Sequence, residues 1–272
     1  MHPFVNTAVR AARRAGEIIV RGLARFEGLE TASKGLNDWV TDIDRNAEAE
    51  IIEILQRAYP HHAFLAEESG AHGNSDTVWI IDPLDGTTNF IHGFPQFAVS
   101  IACQVQGRIE HAVVYDPMRQ ELFTSSRGAG AYLESRRLRV SRQRTLEGAL
   151  IGTGFPYREN LHYLDNYMAM LKTVMSTAAG IRRPGSAALD LAYVAAGRLD
   201  GFWEIGLRAW DTAAGTLLIR EAGGLVATLD GGEYKQNGNI VAGTPRVFNE
   251  LLDLLAPFLT DELRESRIPM ES

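Results

Sequence analysis

The spacing of apolar residues changes near residue 60 of this chain, and the change limits the folds that the sequence allows. Before that point, apolar residues recur at helical spacing over Val5–Val20 and over Asp44–Tyr59, which predicts two amphipathic helices. Asp42 or Asp44 is the expected cap of the second helix, and Pro60 stops it. After that point, short apolar runs end in acids or turn residues, as buried strands do.

The two halves of the chain carry different patterns of elements. The first half is rich in strands, which we predict at 63–66, 77–82, 97–106, 109–116, 121–125 and 130–133, with a hairpin turn at 106–108. The second half alternates strands at 149–153, 201–205, 225–229 and 239–242 with helices at 161–176, 186–196, 211–222 and 247–263. These patterns predict a layered α/β protein in which an N-terminal α+β subdomain (1–145) and a C-terminal α/β subdomain (146–272) share one compact body.

Composition excludes several classes of protein. The 27 Lys and Arg residues against 34 Asp and Glu residues give a formal net charge of −7, which supplies no whole-molecule attraction to nucleic acid or to an acidic membrane surface. The single cysteine, Cys103, rules out an intramolecular disulfide and is expected to be a small buried hydrophobe. No apolar run approaches the roughly 18 residues that span a bilayer, and the Arg-rich segment Val5–Val20 does not have the composition of a targeting peptide. We therefore expect a cytoplasmic protein without membrane contact.

The strongest chemical signal is the run Asp82-Pro83-Leu84-Asp85-Gly86-Thr87 at the end of a predicted strand. Open α/β sheets bind ligands at the carboxyl ends of their strands. Pro83 fixes the turn, so the two carboxylates lie side by side with the Leu84 carbonyl between them, and this oxygen set suits Mg²⁺. Gly86 and Thr87 then offer backbone N–H groups and a hydroxyl to a phosphate if a helix begins there. Asp-Pro and Asp-Gly are also ordinary turn sequences, so this run by itself leaves both interpretations open.

Further acids stand at predicted element boundaries elsewhere in the chain. Glu67 and Glu68 follow a strand, and Asp211 begins a helix. A third cluster precedes the second helix and consists of Asp38, Asp42 and Asp44. Each has a structural alternative, which is solvation in a loop for the glutamates and N-capping for the aspartates. Because the acids recur at boundaries around one Asp-Pro-Leu-Asp-Gly turn, the sequence favours a shared metal site.

Four segments of the chain resemble a known family. Ile81–Phe90 and Trp210–Gly215 are similar to the two signatures of the inositol monophosphatases, and Leu65–Gly70 and Val40–Asp44 are similar to the two other acidic boxes of that family, in the same order. The resemblance runs almost end to end, and details such as Gly185–Leu191 make it closest to the bacterial SuhB-type branch. It implies an alternating α-β-α-β-α sandwich of the inositol monophosphatase and fructose bisphosphatase type.

The resemblance also implies a role for each site residue. Two or three Mg²⁺ ions are implied, with the metal ligands Glu67, Asp82, the Leu84 carbonyl, Asp85 and Asp211. The implied catalytic residues are Asp44 and Thr87, which orient the attacking water, together with Glu67 and Glu68. The implied substrate contacts are Leu84, Asp85, Gly86, Thr87, Arg183, Gly185, Ser186, Ala187, Glu204 and Asp211. For Arg183 a solvated edge remains the alternative, and Lys34 matches a lysine near the family's metal site.

The implied activity is lithium-sensitive hydrolysis of myo-inositol 1-phosphate and related phosphates by metal-activated water. Related phosphatases act on fructose bisphosphate, on the 3′-phosphate of adenosine bisphosphate and on histidinol phosphate, so a tolerant pocket is an alternative. A second implied role belongs to another class, because SuhB-type proteins act in ribosomal RNA transcription antitermination through RNA polymerase and Nus factors. Family members are usually homodimers, and Phe94, Phe97 or Ile101 are candidate interface residues.

Overall fold

The computed structural model describes residues 2–26, 35–156, 158–236 and 238–265. The α-helices of this part of the chain are α1 Pro3–Phe26, α2 Gly35–Ala58, α3 Thr87–Ile91, α4 Leu164–Met175, α5 Ala187–Ala195, α6 Ala209–Glu221, α7 Pro245–Leu255 and α8 Asp261–Glu265. The strands are β1 Ala63–Ala66, β2 Gly70–His72, β3 Thr77–Asp85, β4 Ala98–Val105, β5 Arg108–Asp116, β6 Glu121–Ser126, β7 Gly130–Leu133, β8 Arg136–Arg137, β9 Leu150–Thr153, β10 Gly180–Arg182, β11 Gly201–Leu207, β12 Leu225–Ala227 and β13 Gly238–Gly243. Among these helices, none combines the length and the apolar character that crossing a bilayer requires.

The second helix begins earlier than its apolar pattern predicts. Since α2 starts at Gly35, Asp42 and Asp44 lie inside the helix, and the prediction that one of them caps its start is wrong. The cause is a buried stripe that begins before Asp44: Ile43, at 5% exposure, is the first of a series spaced four residues apart that continues with Ala47, Ile51 and Leu55. Asp44 is therefore held on a rigid helix rather than at a helix end.

Two other predicted helices are shorter than expected. The predicted helix at 161–176 starts as a 3₁₀ turn at Arg158–Tyr163 and becomes α-helical only at Leu164. The predicted closing helix at 247–263 is wrong beyond Leu255, because Ala256–Phe258 tightens into a 3₁₀ turn and a separate short helix follows. Proline cannot donate the backbone hydrogen bond that continues an α-helix, and the sequence places Pro257 at this break.

The strands form two sheets. One has eight strands in the order β2-β1-β3-β4-β5-β6-β7-β8, and the other has five in the order β10-β9-β11-β13-β12. The predicted hairpin between β4 and β5 is confirmed, and its turn residues Gln106 and Gly107 both have positive φ, at 48° and 78°. The short strands β2, β8 and β10 were not predicted, because two or three residues give no readable alternation.

The elements stack in five layers. The helices α1 and α2 cover one face of the eight-stranded sheet, α5 and α6 pack between the two sheets, and α4 and α7 cover the outer face of the five-stranded sheet. This α-β-α-β-α order confirms the predicted fold class. The strands of the two sheets come from residues 63–137 and 150–243, and a subdomain boundary near residue 145 stays a prediction. Both sheets and the helices between them contribute to the site described next.

Candidate metal and phosphate site

The site begins at an irregularity in β3. Asp82 pairs with Ser100 of β4, but Asp85 pairs with Ala98, so three steps along β3 match two steps along β4. One extra residue is therefore accommodated as a β-bulge, which is where a strand tolerates a proline such as Pro83. The buried Asp82 carboxylate accepts the Leu84 N–H at 3.0 Å, which tightens the turn and brings both acids to the same edge of the sheet.

A third aspartate reaches this turn from the other half of the chain. Asp211 lies in the first turn of α6, and its carboxylate accepts the Arg208 N–H at 2.7 Å. Asp211 therefore caps the helix start from its third position, and the N-cap residue itself is Arg208. One carboxylate oxygen from each of Asp82, Asp85 and Asp211 lies within 4.8 Å of the others. The structure thus brings together three acids that are far apart in the sequence.

Two further predicted ligands adjoin this trio. Glu67 follows β1, which runs parallel to β3, so both strands deliver their acids to one edge. The side chains of Glu67 and Asp82 share a hydrogen bond. The Leu84 carbonyl accepts a hydrogen bond from the Thr87 hydroxyl at 3.1 Å, which fixes both groups and leaves the carbonyl a second lone pair.

Burial and crowding keep these acids from ionising easily. Burial is the largest influence on each, and it raises the pKa of Glu67 to about 7 and the pKa of Asp85 to about 6. Burial, followed by the charges of Glu67 and Asp85, raises the pKa of Asp82 well above its usual range, and burial followed by Asp85 does the same for the pKa of Asp211. Carboxylates this close ionise together only when a cation compensates their charge.

A second acidic layer comes from α2 and the turn after β1. Burial, then the charges of Glu67 and Glu68, raises the pKa of the Asp44 carboxyl to about 8. Asp44 is 5% exposed, and its Oδ1 has no hydrogen-bond partner among the described residues. Glu68 is half-buried and forms an ion pair with Arg45 at 3.7 Å.

Glu48 is a residue of this layer that the sequence did not single out. Its two carboxylate oxygens accept the backbone N–H groups of Glu68 and Ser69, both at 2.9 Å, so it holds the turn that carries Glu67 and Glu68. The available signal was its position four residues after Asp44, which places both acids on one face of α2. An acid on the same helix face as a predicted site residue would have been a reasonable candidate for a residue that supports the site.

Gly86 joins the turn that carries Asp82 and Asp85, called the metal turn below, to α3. Its φ is 99°, in the left-handed region that favours glycine, and a Cβ atom there would lie 2.8 Å from the Gln96 carbonyl oxygen. A helix does begin at Thr87, which was the condition for the predicted binding of phosphate by Gly86 and Thr87. The backbone N–H groups at the start of α3 therefore lie beside the acids, where an anion can be bound.

A single amide ties α3 to the opposite half of the protein. The Asn89 side-chain nitrogen lies 2.7 Å from the Gln96 carbonyl oxygen, 2.8 Å from that of Pro184 and 3.2 Å from that of Gly185. The local sequence pattern around Asn89 did not mark it as a site residue, because nothing in that pattern reveals a partner almost a hundred positions away. Its contacts connect the expected phosphate segment to the expected substrate segment.

The start of α5 is bonded directly to the metal turn. The Ser186 hydroxyl donates to Asp85 Oδ2, and the Ala188 N–H donates to the same oxygen at 2.8 Å. Ser186 is 1% exposed and also caps α5, while Ala187 is buried at the first helical position. Ser186 therefore holds Asp85 in place, and its direct contact with substrate stays a prediction.

The far wall of the site contains the remaining predicted substrate residues. The Arg183 guanidinium lies 5.0 Å from the centre of the Phe155 ring. Burial raises the pKa of Glu204 to about 8, while the nearby Arg183 charge opposes that rise. Gly185, at φ 90°, leaves the space that the Arg183 side chain uses. Arg183, Gly185 and Glu204 thus converge, although their roles toward a substrate stay predictions.

Some predictions fall outside the site or outside the described residues. Lys34 and the side chain of Asp38 lie outside the described residues. Cys103 is buried in β4, and burial raises the pKa of its thiol to about 12, which confirms a packing role. Phe97 and Ile101 are 0% and 1% exposed, because they face the cluster under α1 and α2, so the prediction that they contribute to a dimer interface is wrong. Phe94 is 54% exposed, and its place in an interface stays a prediction.

Known proteins match this chain over almost its whole length. A sequence model of the inositol monophosphatase family matches residues 1–258. Nus factor SuhB of Pseudomonas aeruginosa is 54% identical over 270 residues, which cover 97% of this chain and 100% of that protein.

Two solved structures show the same fold. The extragenic suppressor protein suhB from Bartonella henselae superposes with a TM-score of 0.85 and is 48% identical, covering 92% of this chain and 97% of its own. An inositol monophosphatase from Anabaena superposes with a TM-score of 0.82 and is 38% identical, covering 93% of this chain and 95% of its own. These matches agree with the resemblance carried by the four acidic segments.

Proposed function

The chain belongs to the inositol monophosphatase family, and on that premise we propose that it is a Mg²⁺-dependent phosphatase that hydrolyses myo-inositol 1-phosphate and related phosphate monoesters. The observation that carries the proposal is the convergence of Asp82, Asp85 and Asp211 beside the start of α3. Acids that meet beside a helix start offer oxygen ligands to a metal and N–H donors to a phosphate in one small volume.

The donor set fits a divalent cation. Its atoms are carboxylate oxygens within 4.8 Å of one another, which is the ligand chemistry that hard cations prefer. Burial, and then the neighbouring carboxylates, raise the pKa values of Asp82 and Asp211, so a bound cation would favour their ionised forms. Glu67 and the Leu84 carbonyl are the further ligands we assign, for two or three ions per site. When bound, such ions supply positive charge for the phosphate oxygens and lower the pKa of water.

The residues around the ligands have separate tasks in this proposal. Asp44 accepts the proton of the attacking water in the metal-bound state, where cation charge would offset the groups that raise its pKa, because its Oδ1 is buried and has no hydrogen-bond partner among the described residues. The Thr87 hydroxyl donates to the Leu84 carbonyl and therefore presents its lone pairs to that water. Glu68, which its ion pair with Arg45 keeps at the rim, supports the same proton transfer.

The substrate is placed between α3 and the wall formed by β11. In this proposal the N–H groups that follow Gly86 bind the phosphate oxygens, as helix starts do. Arg183, Gly185 and Glu204 face the alcohol half of the ester, and Ser186 and Ala187 hold the α5 start against Asp85. Bringing water and ester together in fixed positions lowers the entropic part of the barrier.

Phosphate release from myo-inositol 1-phosphate tests this function. We expect release in Mg²⁺, none above background in EDTA, and inhibition when Li⁺ is added to the Mg²⁺ reaction. A panel with glycerol 2-phosphate, fructose bisphosphate, adenosine 3′,5′-bisphosphate and histidinol phosphate ranks the alternatives. Equal phosphate release with and without EDTA would contradict the proposed metal dependence.

We also propose a second role for the chain, as a Nus factor that acts with RNA polymerase and other Nus factors in ribosomal RNA antitermination, in the cytoplasm. The observation that favours it is the identity of 54% to a Nus factor over 97% of this chain and 100% of that protein. The formal charge of −7 favours binding through protein partners rather than through RNA alone. Tagged wild type and Asp85→Asn should both co-purify with RNA polymerase, and failure of both to do so would contradict this role.

We further propose that the chain forms a homodimer through the outer face of α4 and of the 3₁₀ turn that precedes it. This surface carries large apolar side chains with exposures of 56%, 41%, 49% and 60%, which are Leu161, Leu164, Met168 and Met175. A twofold interface uses the same patch on both subunits, so an apolar patch is its own complement. Met168→Glu combined with Met175→Glu should yield a monomer in sedimentation velocity, whereas Leu225→Glu, at another exposed apolar position, should leave the dimer intact.

A further inference from the structure

We propose that Gly154 is a positioning residue that makes the site selective for hydroxyl-bearing alcohols, because its missing side chain leaves the space in which the Glu204 carboxylate sits. This inference rests on the proposed phosphatase function and adds a determinant of its substrate class. Gly154 belongs to neither signature of the acidic site, and it follows directly after the last residue of β9. Three features of this wall support the assignment.

The first feature is the close approach of Glu204 to the Gly154 backbone. Strand β9 runs parallel to β11 with Thr153 opposite Trp203, so the register brings Gly154 beside Glu204. A Cβ atom built on Gly154 would lie 1.9 Å from Glu204 Oε1, 2.0 Å from Cδ and 2.3 Å from Oε2. These distances are far below any van der Waals contact, so every side chain other than glycine forces the carboxylate out of this position.

The second feature is that the Glu204 carboxylate is held in place but keeps its acceptor capacity. No described residue donates a hydrogen bond to it, and its favourable electrostatic neighbour is Arg183. The Arg183 guanidinium in turn lies 5.0 Å from the centre of the ring of Phe155, the residue that follows Gly154 in the sequence. A carboxyl group accepts hydrogen bonds in either protonation state, so the unused lone pairs of Glu204 favour a partner that carries O–H groups.

The third feature is a buried acid behind Glu204. Asp190 on α5 is 1% exposed, and its Oδ1 has no hydrogen-bond partner among the described residues. Its electrostatic neighbours include Glu204, Asp85 and Arg183, which places it between the metal turn and this wall. Asp190 adds acidic surroundings behind Glu204, and Glu204 is the acceptor that faces the alcohol. This wall favours an alcohol with hydroxyl groups and penalises an apolar one, because the Glu204 acceptor would be left unpaired.

The experiment compares two esters with the same phosphate and different alcohols, myo-inositol 1-phosphate and phenyl phosphate. Gly154 does not have a positive φ, so Gly154→Ala introduces no backbone strain and moves only the flexible end of Glu204. We expect the KM for the inositol ester to rise about tenfold, the size of one lost hydrogen bond, while kcat/KM for phenyl phosphate stays within about twofold. Gly180→Ala on β10, where a Cβ would meet Leu150 Cδ1 at 3.3 Å, is the matched control and should change neither ester.

A double-mutant cycle separates positioning from a general structural effect. In a Glu204→Ala background there is no carboxylate to displace, so Gly154→Ala should cause no further change in KM. A Gly154→Ala effect that persists in that background, or that is equal for both esters, would overturn the inference. If wild type hydrolyses neither ester, the phosphatase proposal fails, but the selectivity can still be tested. The esters then stay intact, and isothermal titration calorimetry measures the Kd of each ester for wild type and for Gly154→Ala. Equal Kd values of the two esters for wild type would also overturn the inference about Gly154.

Discussion

Single side chains of this site both hold neighbouring elements in place and belong to the candidate ligand set. Asp85 is the clearest case, because its Oδ2 accepts from the Ser186 hydroxyl and the Ala188 N–H, while one of its oxygens lies within 4.8 Å of the Asp82 and Asp211 carboxylates. One side chain thus joins the start of α5 to the metal site. The same division explains how Asp211 caps α6 with one oxygen and still faces the acidic group.

A substitution at Asp85 tests this division. Asp85→Asn keeps an acceptor oxygen for Ser186 and Ala188 but removes a negative charge from the ligand set. We expect turnover to fall by about a thousandfold or more, as losses at catalytic metal sites do, with Tm unchanged or slightly higher because repulsion among the acids is relieved. Phosphate release and thermal unfolding are the measurements, and Asp230→Asn on an exposed loop is the control. Near-wild-type turnover in Asp85→Asn would remove Asp85 from the ligand set.

At the scale of elements, short segments are placed by contacts with distant parts of the chain. The helix α3 has five residues, too few to be stable alone, and the Asn89 amide fixes it against the carbonyl groups of Gln96, Pro184 and Gly185. The bulge in β3 and the left-handed Gly86 set the direction in which α3 leaves the sheet. The phosphate segment is therefore positioned by the α5 side of the protein as much as by its own sequence.

Loss of the Asn89 amide should loosen this connection. Asn89→Ala removes the donor that serves three backbone carbonyls, so we expect Tm to fall by about 2–6 °C and kcat to fall about tenfold or more. Asn89→Asp should be more damaging, because it points a carboxylate at those carbonyl oxygens. Asn249→Ala, at an exposed position of α7, is the matched control. Wild-type kcat in Asn89→Ala would show that α3 holds its position without this contact.

At the scale of the whole molecule, the five layers enclose a group of acids whose ionisation opposes folding. The pKa values of Asp44, Glu67 and Glu204 are raised to about 8, about 7 and about 8, chiefly by burial. Groups with a raised pKa in the folded state bind more protons there than in the unfolded chain, so the stability they contribute at low pH is lost as pH rises through the folded pKa. Burial lowers the pKa of His111 to about 4, so this residue makes stability rise with pH instead of fall. That rise is confined to pH values below the ordinary histidine pKa of 6.5.

This balance predicts how metal and pH act on stability. Between about pH 6.5 and 8.5, the Tm of metal-free protein in EDTA should fall by several degrees, because the acids ionise without compensation. With saturating Mg²⁺ the slope should flatten, since the cation binds the ionised form. Differential scanning calorimetry at constant ionic strength measures both, and Asp44→Asn should reduce the metal-free slope. A metal-free Tm that rises over this range would contradict the assignment of the buried acids.

Sequence patterns alone established much of this protein. The helical and strand periods are properties of neighbouring residues, so most elements, the hairpin at Gln106-Gly107 and a layered α/β class were predictable, and so was the acidic turn at Asp82 and Asp85. The five-layer order followed only from the resemblance to the family. The start of α2 and the end of α7 were wrong, because tertiary burial and a local 3₁₀ turn decide such boundaries.

Only the tertiary structure decided which residues meet. The clamp by Asn89, the support of the Glu67–Glu68 turn by Glu48, and the space that Gly154 leaves for Glu204 all join positions far apart in the chain. Local spacing carries no record of such contacts, because they arise when two sheets pack across shared helices and bring separate strand ends to a common edge. The acids can be found one by one in the sequence, but the volume they share exists only after the layers have assembled.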